Sequence, residues 1–463
     1  MRHLIALGAA ALFVAGCQLA PETVEPATAN ISVEEAANLS SVVVDAHDGD
    51  FASIQQFTTP DGISVWLVEE PSIPIISFQA AWKGGSAVDP EGLEGLANAV
   101  AYQMNEGAGA LDALAFQTRM EDLNMSFGCD AGRDWTSCSA SMLADNAAES
   151  MGLIATALSE PRFDEGPFER MRRENLISVK RRETNARFLA SEAIEAALYP
   201  DHAYAREMTE ESAIAMTREE AMAHKDKLMV KDRLLVTAVG AISAEQLAPL
   251  IGLAFTDLPE TSELPVIPTV ELSDPAAEPI LVPLPQPQSL VSFTAPGLQR
   301  SNPDFFTAYV LNYTLGGGGF ESRLMKELRV ARGLTYGIGT RLSFGGELAT
   351  WSGAGQTKNE SAGEFLTVLR EELVKLVEDG VTEEELSDAK AYLTGSYPLG
   401  FDSNAKIAGN LMGVRQQDLG VDYFDRRNAA VDAVTLEDVN RVASEYLAPD
   451  RFTFVIVGEP GGL

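Results

Sequence analysis

Histidine is scarce in this chain: only His3, His47, His202 and His224 occur, and no two lie close enough to share one helix face. A metal site built from histidines is thereby all but excluded. Positive charge is also short, with 34 Lys and Arg against 68 Asp and Glu and a formal net charge of −34. A field of that sign repels phosphate backbones, so nucleic acid is not an expected partner. No apolar run reaches the ~18 residues that a membrane-spanning helix needs. What is present is ample apolar material, 46% of 463 residues, enough for packed cores in two to four domains. Disorder and fibre are excluded for most of the length.

Arg2 and His3 precede an apolar run from Leu4 to Ala15, too short to span a bilayer, so residues 1–16 read as an export signal. The run ends Val14-Ala15-Gly16-Cys17. This resembles the bacterial lipobox, in which small residues fit the signal peptidase and the cysteine thiol takes a diacylglycerol. Cys17 is therefore the expected lipidation site. Residues 17–50, rich in Pro, Ala, Thr and Glu, read as a disordered tether reaching up to about 100 Å at ~3.3 Å per residue. The body is expected in the periplasm, held to a membrane by its lipid alone. Gln18 is not the aspartate that retains some lipoproteins at the inner membrane, so the outer membrane is the expected destination.

The other cysteines, Cys129 and Cys138, fall in a segment that reads as two strands around Asp130-Ala131-Gly132-Arg133-Asp134. In an oxidising compartment they form either a cross-strand disulfide or two buried thiols. The hairpin register decides, because a slip of one residue puts them on opposite faces.

The chain repeats itself. Thr217-Arg-Glu-Glu and Thr435-Leu-Glu-Asp each open a helix with a capping-box pattern, position 435 against 217, an offset of 218. Asp232-Arg233 and Asp450-Arg451, each heading an apolar strand that ends in Val-Gly, keep the same offset, as do Phe163-Asp-Glu and Val381-Thr-Glu. Met151, Ala155 and Leu158 fall on Leu369, Leu373 and Leu376, a stripe with helical spacing. One offset across separate elements means two copies of one α+β domain, residues 51–255 and 280–463, joined by a proline- and acid-rich linker at 256–279. Each copy is expected as an antiparallel or mixed sheet with helices packed on one face. Ile63 to Leu67 and Ile75 to Trp82 alternate with period two and read as the first antiparallel hairpin.

A helix is expected over Gly92 to Glu106, with Leu93, Leu96, Val100 and Met104 in one stripe and Asn98, Tyr102 and Asn105 opposite. The run Gly84-Gly85-Ser86-Ala87-Val88-Asp89-Pro90-Glu91-Gly92-Leu93-Glu94-Gly95-Leu96-Ala97 resembles the pitrilysin and insulinase-type zinc peptidases, which include mitochondrial processing peptidase. In that family His-x-x-Glu-His follows: two imidazoles one turn apart bind zinc, and the glutamate activates the metal-bound water. Here Asn98, Ala101 and Tyr102 hold those places, and the position of the third ligand, further along the chain, falls at Ser178 near Glu174 and Glu183. The resemblance thus implies no metal in this chain and no hydrolysis by it alone. His202 and His224 read as surface or locally hydrogen-bonded residues.

Leu315-Gly-Gly-Gly-Gly-Phe320-Glu-Ser-Arg-Leu324 resembles the signature of the family's second domain. It lacks the Lys-Ser/Thr of a phosphate loop, and a helix from Phe320 to Arg332 capped by Gly333 is expected, followed by a strand carrying Tyr336, Ile338, Thr340 and Leu342 on one face. Arg329 and Tyr336 resemble the family's Arg/Tyr pair, which binds the substrate carbonyl and its developing oxyanion. A chain with that pair and without a zinc site is expected to be the non-catalytic subunit of a heterodimeric zinc peptidase. Its partner would be a homologous zinc-bearing subunit, and peptides would be the substrate. The alternative is a peptide-binding or scaffold lipoprotein of the same fold without catalysis.

Overall fold

The computed structural model describes residues 42–49 and 51–462. The signal at 1–16, Cys17 and most of the tether at 17–50 lie outside the described residues. The strands of the first half are β1 (Asp45–Asp48), β2 (Ser53–Thr58), β3 (Ser64–Glu69), β4 (Ile75–Lys83), the short pair β5 (Gly107–Ala108) and β6 (Leu111–Asp112), β7 (Ser126–Ala131), β8 (Trp135–Leu143) and β9 (Leu234–Gly240). The second half contributes β10 (Ile280–Pro283), β11 (Gln288–Pro296), β12 (Ile338–Ser343), β13 (Thr350–Lys358) and β14 (Thr453–Gly458).

The two large sheets run β1-β2-β3-β9-β4-β8-β7 and β10-β14-β11-β13-β12. From β3 onward the first order maps strand by strand onto the second, and in both the first and last strands of the repeat, β3 with β9 and β10 with β14, pair in parallel. The halves are therefore copies in topology as well as pattern. The offset read from the sequence holds from the helices Glu165–Arg182 and Glu383–Gly395 onward. It is shorter before them, where the helices that follow β8 and β13 begin at Ala147 and Ala362, so Met151, Ala155 and Leu158 do not fall on Leu369, Leu373 and Leu376 as expected.

Two further expectations need correction. Strands β3 and β4 do not form a hairpin: β9, from the far end of the first half, lies between them, parallel to β3 and antiparallel to β4. The residues between β3 and β4 have only to cross two strand spacings of ~4.8 Å, well within reach of a short loop. Alternation reveals that a strand exists and which face it buries, but not its neighbour. The tether also ends before residue 50, because β1 pairs antiparallel with β2 and His47 Nε2 lies 2.6 Å from Asp425 Oδ2 in the second half.

Each sheet buries its period-two face under its own helices. Ile76, Phe78, Ala80 and Trp82 of β4, with Val65, Leu67, Val236 and Ala238, meet Leu96, Val100, Ile154, Leu158, Leu228 and Phe255 from helices of the first half. Phe293, Trp351, Phe454 and Ile456 do the same with Leu311, Leu369, Leu373 and Val442 in the second. The opposite faces are covered by exchange. Helix Ala186–Leu198 of the first half lies across β14, β11 and β10, placing Ala190, Ile194 and Leu198 on Leu290, Val455 and Val457. Helix Asn404–Gln416 of the second half, its counterpart at the same offset, lies across β9 and β4, placing Ala408, Leu411 and Val414 on Trp66, Val68 and Val239. Arg415 Nη1 donates to the Ser64 carbonyl at 3.0 Å, and Thr237 Oγ1 donates to the Ala408 carbonyl at 3.0 Å.

Candidate functional site

The helix that resembles the family's zinc helix spans Leu96–Gln103, not Gly92 to Glu106. Gly92 and Gly95 have φ of +81° and +97°, left-handed values that a continuing helix cannot include. A Cβ on Gly95 would also meet Met208 Sδ at 2.7 Å. The turn is held by Asp89, whose buried carboxylate accepts from the Gly95 and Ala97 amides at 2.8 and 2.9 Å and so satisfies donors at the helix start. His224 Nε2 lies 3.1 Å from the same carboxylate, both side chains almost fully buried. His202 is locally bonded, its Nδ1 accepting from the Tyr204 amide and its Nε2 lying 2.9 Å from the Pro268 carbonyl.

Asn98 is exposed, Ala101 buried and Tyr102 half-buried on this helix. Helix Glu165–Arg182 packs against it and carries Ser178, which is exposed. What faces the degenerate positions most directly is Arg170, which the sequence reading did not single out. Its Nε donates to the Tyr102 hydroxyl at 3.4 Å and its Nη2 to Glu106 at 2.6 Å. Glu106 first, and then Tyr102, hold the guanidinium above its ordinary range. The available signal was position: Arg170 sits on the polar side of a helix whose Phe168 and Met171 are buried.

A carboxamide, a methyl, a phenol and a hydroxyl do not fit zinc, which takes thiolate, imidazole or carboxylate ligands. Among the described residues no group of three His, Cys, Asp or Glu is placed to hold a metal. A guanidinium already paired with Glu106 has no lone pair for a metal. Ala101 cannot remove a proton from water.

The second group of residues lies on a distorted helix. In place of a regular helix from Phe320 to Arg332, a 3-10 turn at Gly319–Glu321 is followed by a wide, π-type turn at Met325–Ala331. The Arg332 amide reaches back five residues to the Glu327 carbonyl, and Gly333 at φ +64° closes the segment as the glycine cap predicts. Arg329 Nη1 donates to the Tyr336 carbonyl at 2.7 Å, and its guanidinium carbon lies 4.3 Å from the centre of the Phe320 ring. The Tyr336 ring stands ahead of β12 rather than on it and is 85% exposed. The backbone of Tyr336 is thus fixed by Arg329 while its phenol remains available. No hydrogen bond or ion pair among the described residues joins this pair to Asn98, Ala101, Tyr102 or Ser178. Cys129 and Cys138 are directly opposed across β7 and β8 and are joined as a disulfide, so the register chooses the bonded alternative.

The family profile described as "Insulinase (Peptidase family M16)" matches residues 67–212, and that described as "Peptidase M16 inactive domain" matches residues 215–393. The chain belongs to the M16 peptidase family. The non-peptidase homolog YmxG of Helicobacter pylori is 24% identical to it over 398 residues, covering 85% of this chain and 91% of that protein. Among solved structures, a crystal structure described as the peptidase M16 inactive domain from Pseudomonas fluorescens superposes with a TM-score of 0.81 at 26% identity, covering 88% of this chain and 98% of its own. The periplasmic protease PqqL of Escherichia coli shares the fold at TM-score 0.77 and 17% identity, with 91% of this chain matched to 46% of that one. This M16 chain carries Asn98, Ala101 and Tyr102 where the resemblance places the family's His-x-x-Glu-His.

Proposed function

We propose that this M16 chain is the non-catalytic subunit of a periplasmic, heterodimeric zinc peptidase, lending Arg329 and Tyr336 to peptides bound at the zinc of a homologous partner. The observation that carries this reading is an asymmetry of loss. The metal-binding half is replaced by Asn98, Ala101 and Tyr102, with the Arg170–Glu106 pair beside Tyr102, whereas the carbonyl-binding half keeps an anchored arginine beside an exposed phenol. Donors aimed at a developing oxyanion act on a partner's zinc-bound substrate as well as on their own. The lipobox-like Val14-Ala15-Gly16-Cys17 supports attachment through a diacylglycerol on Cys17, and Gln18 supports the outer membrane.

The test is reconstitution. The native complex, isolated by an affinity tag on this chain, is expected to contain a second M16 subunit with intact His-x-x-Glu-His, about one zinc per heterodimer, and peptidase activity that neither subunit shows alone. Isolation of this chain without such a subunit, or full activity of the zinc subunit by itself, overturns the proposal in favour of a scaffold. Mass spectrometry of the mature N-terminus checks the anchor: an unmodified N-terminus at Gln18 or later refutes it.

A further inference from the structure

Among the described residues, two buried guanidinium groups in the second half form no ion pair. Arg300, in the loop after β11, is 9% exposed, and Arg427, on the helix Tyr423–Asp432, is 4% exposed. The Arg300 guanidinium carbon lies 4.0 Å from the ring centre of Phe305, 4.5 Å from Phe306 and 5.0 Å from Tyr423. Its Nη2 is sealed from solvent and makes no hydrogen bond. Arg427 donates through Nη1 to the Leu393 carbonyl at 2.7 Å and through Nη2 to the Tyr309 hydroxyl at 3.4 Å, and it lies 4.3 Å over the Tyr397 ring. The Tyr397 phenol lies within electrostatic reach of both arginines and of Tyr309 and Tyr423. Burial holds that phenol well above its usual range, so it stays protonated and able to donate.

Among the described residues neither guanidinium has a carboxylate within ion-pair distance. The adjacent Asp304 is taken up by Arg441, at 2.9 Å to Nη1. This is unexpected where acids outnumber bases two to one over the whole sequence. A buried charge is ordinarily paired, because stripping its hydration costs more than ring faces return. Tyr309, Tyr397 and Tyr423, which surround the pair, are each half-buried.

We infer that Arg300, Arg427 and the phenols of Tyr397 and Tyr423 form a binding site for a small oxyanion, either a phosphate or a carboxylate. The anion supplies the missing negative charge and accepts from the idle Arg300 nitrogen. The site is separate from Arg329 and Tyr336 and does not depend on the peptidase reading.

The test is thermal unfolding of the full chain in sodium phosphate and in sodium acetate, each against sodium chloride at matched ionic strength and pH. The unfolding temperature is expected to rise saturably with phosphate, acetate or both. A response to phosphate alone identifies a tetrahedral oxyanion, and a response to acetate identifies a carboxylate. Arg300→Met keeps the length and apolar contacts under the rings and should abolish the saturable rise. In chloride alone it should unfold at or above the wild-type temperature, since it removes an unpaired buried charge. A guanidinium serving only to pack the rings would instead make the variant less stable in every salt. Should Arg300→Met not fold, Tyr423→Phe, which keeps its ring, is expected to weaken the apparent anion affinity by about tenfold, the usual scale for one lost charge-assisted hydrogen bond. Absence of a saturable rise in the wild-type protein overturns the inference, as does an undiminished rise in Arg300→Met or, where only that variant folds, in Tyr423→Phe.

Discussion

Leu411 belongs by sequence to the second half, yet its side chain is fully buried against the first, beside Trp66, Val68 and Val239. Truncation to alanine leaves a cavity at that junction and is expected to cost about 2 to 5 kcal/mol, the range for a buried leucine. The loss should appear in the unfolding of the first half. Tryptophan makes this measurable, because Trp66, Trp82 and Trp135 lie in the first half and only Trp351 in the second. In a Trp351→Phe background the fluorescence reports the first half alone. Urea titration of that background with and without Leu411→Ala should show the fluorescence midpoint falling in step with the loss of helical circular dichroism. An unchanged fluorescence midpoint would refute the exchange of helices, since it would mean that the first half holds together without Asn404–Gln416. The same argument applies to separated halves. Exposing Ile54, Trp66, Val68 and Val239 forfeits about 1.5 to 3 kcal/mol for each side chain, comparable in sum with the whole stability of a domain. Residues 42–255 alone are expected to aggregate and to become soluble on co-expression with the second half.

Elemental analysis of the purified chain should find far less than one zinc per molecule, and a stoichiometric, tightly held zinc would contradict the account of Asn98, Ala101 and Tyr102. In the reconstituted heterodimer, Tyr336→Phe should lower turnover tenfold or more without impairing assembly, about 10² to 10³ being typical of a lost oxyanion donor, and Arg329→Ala should do at least as much. Unchanged kinetics in the double variant would remove the proposed role. Burial first, and then Glu207, raise the Glu195 carboxyl above its usual range against the pull of Arg133. Between the unfolded and folded values the native state holds the extra proton, so stability falls as pH rises through that window. Glu195→Gln should flatten this part of the pH profile and raise the urea midpoint at neutral pH, and parallel profiles would disprove the effect. The Cys129–Cys138 bond closes a loop of about ten residues, worth about 2.6 kcal/mol by chain entropy. Unfolding free energies of oxidised protein and of the Cys129→Ser/Cys138→Ser variant should differ by roughly that amount, and equal values would count against the bond.

The sequence by itself determined the two-copy α+β architecture, because each copy carries its own periodic faces and capping patterns, and these are local properties. Family membership was legible in the run from Gly84 to Ala97 for the same reason: Asp89, Gly92 and Gly95 build one backbone turn from neighbouring residues. That Asn98, Ala101 and Tyr102 stand where the resemblance places His-x-x-Glu-His was equally plain, since residue identity does not depend on folding. Only the tertiary structure decided what depends on distant segments meeting. It inserted β9 between β3 and β4, opposed Cys129 to Cys138, sent the helices Ala186–Leu198 and Asn404–Gln416 across each other's sheets, and brought Arg170 to Tyr102 and Arg427 to Tyr397. Strand neighbours and buried charge partners are set by which surfaces exclude water together, and periodicity along one segment carries no record of the surface it will meet.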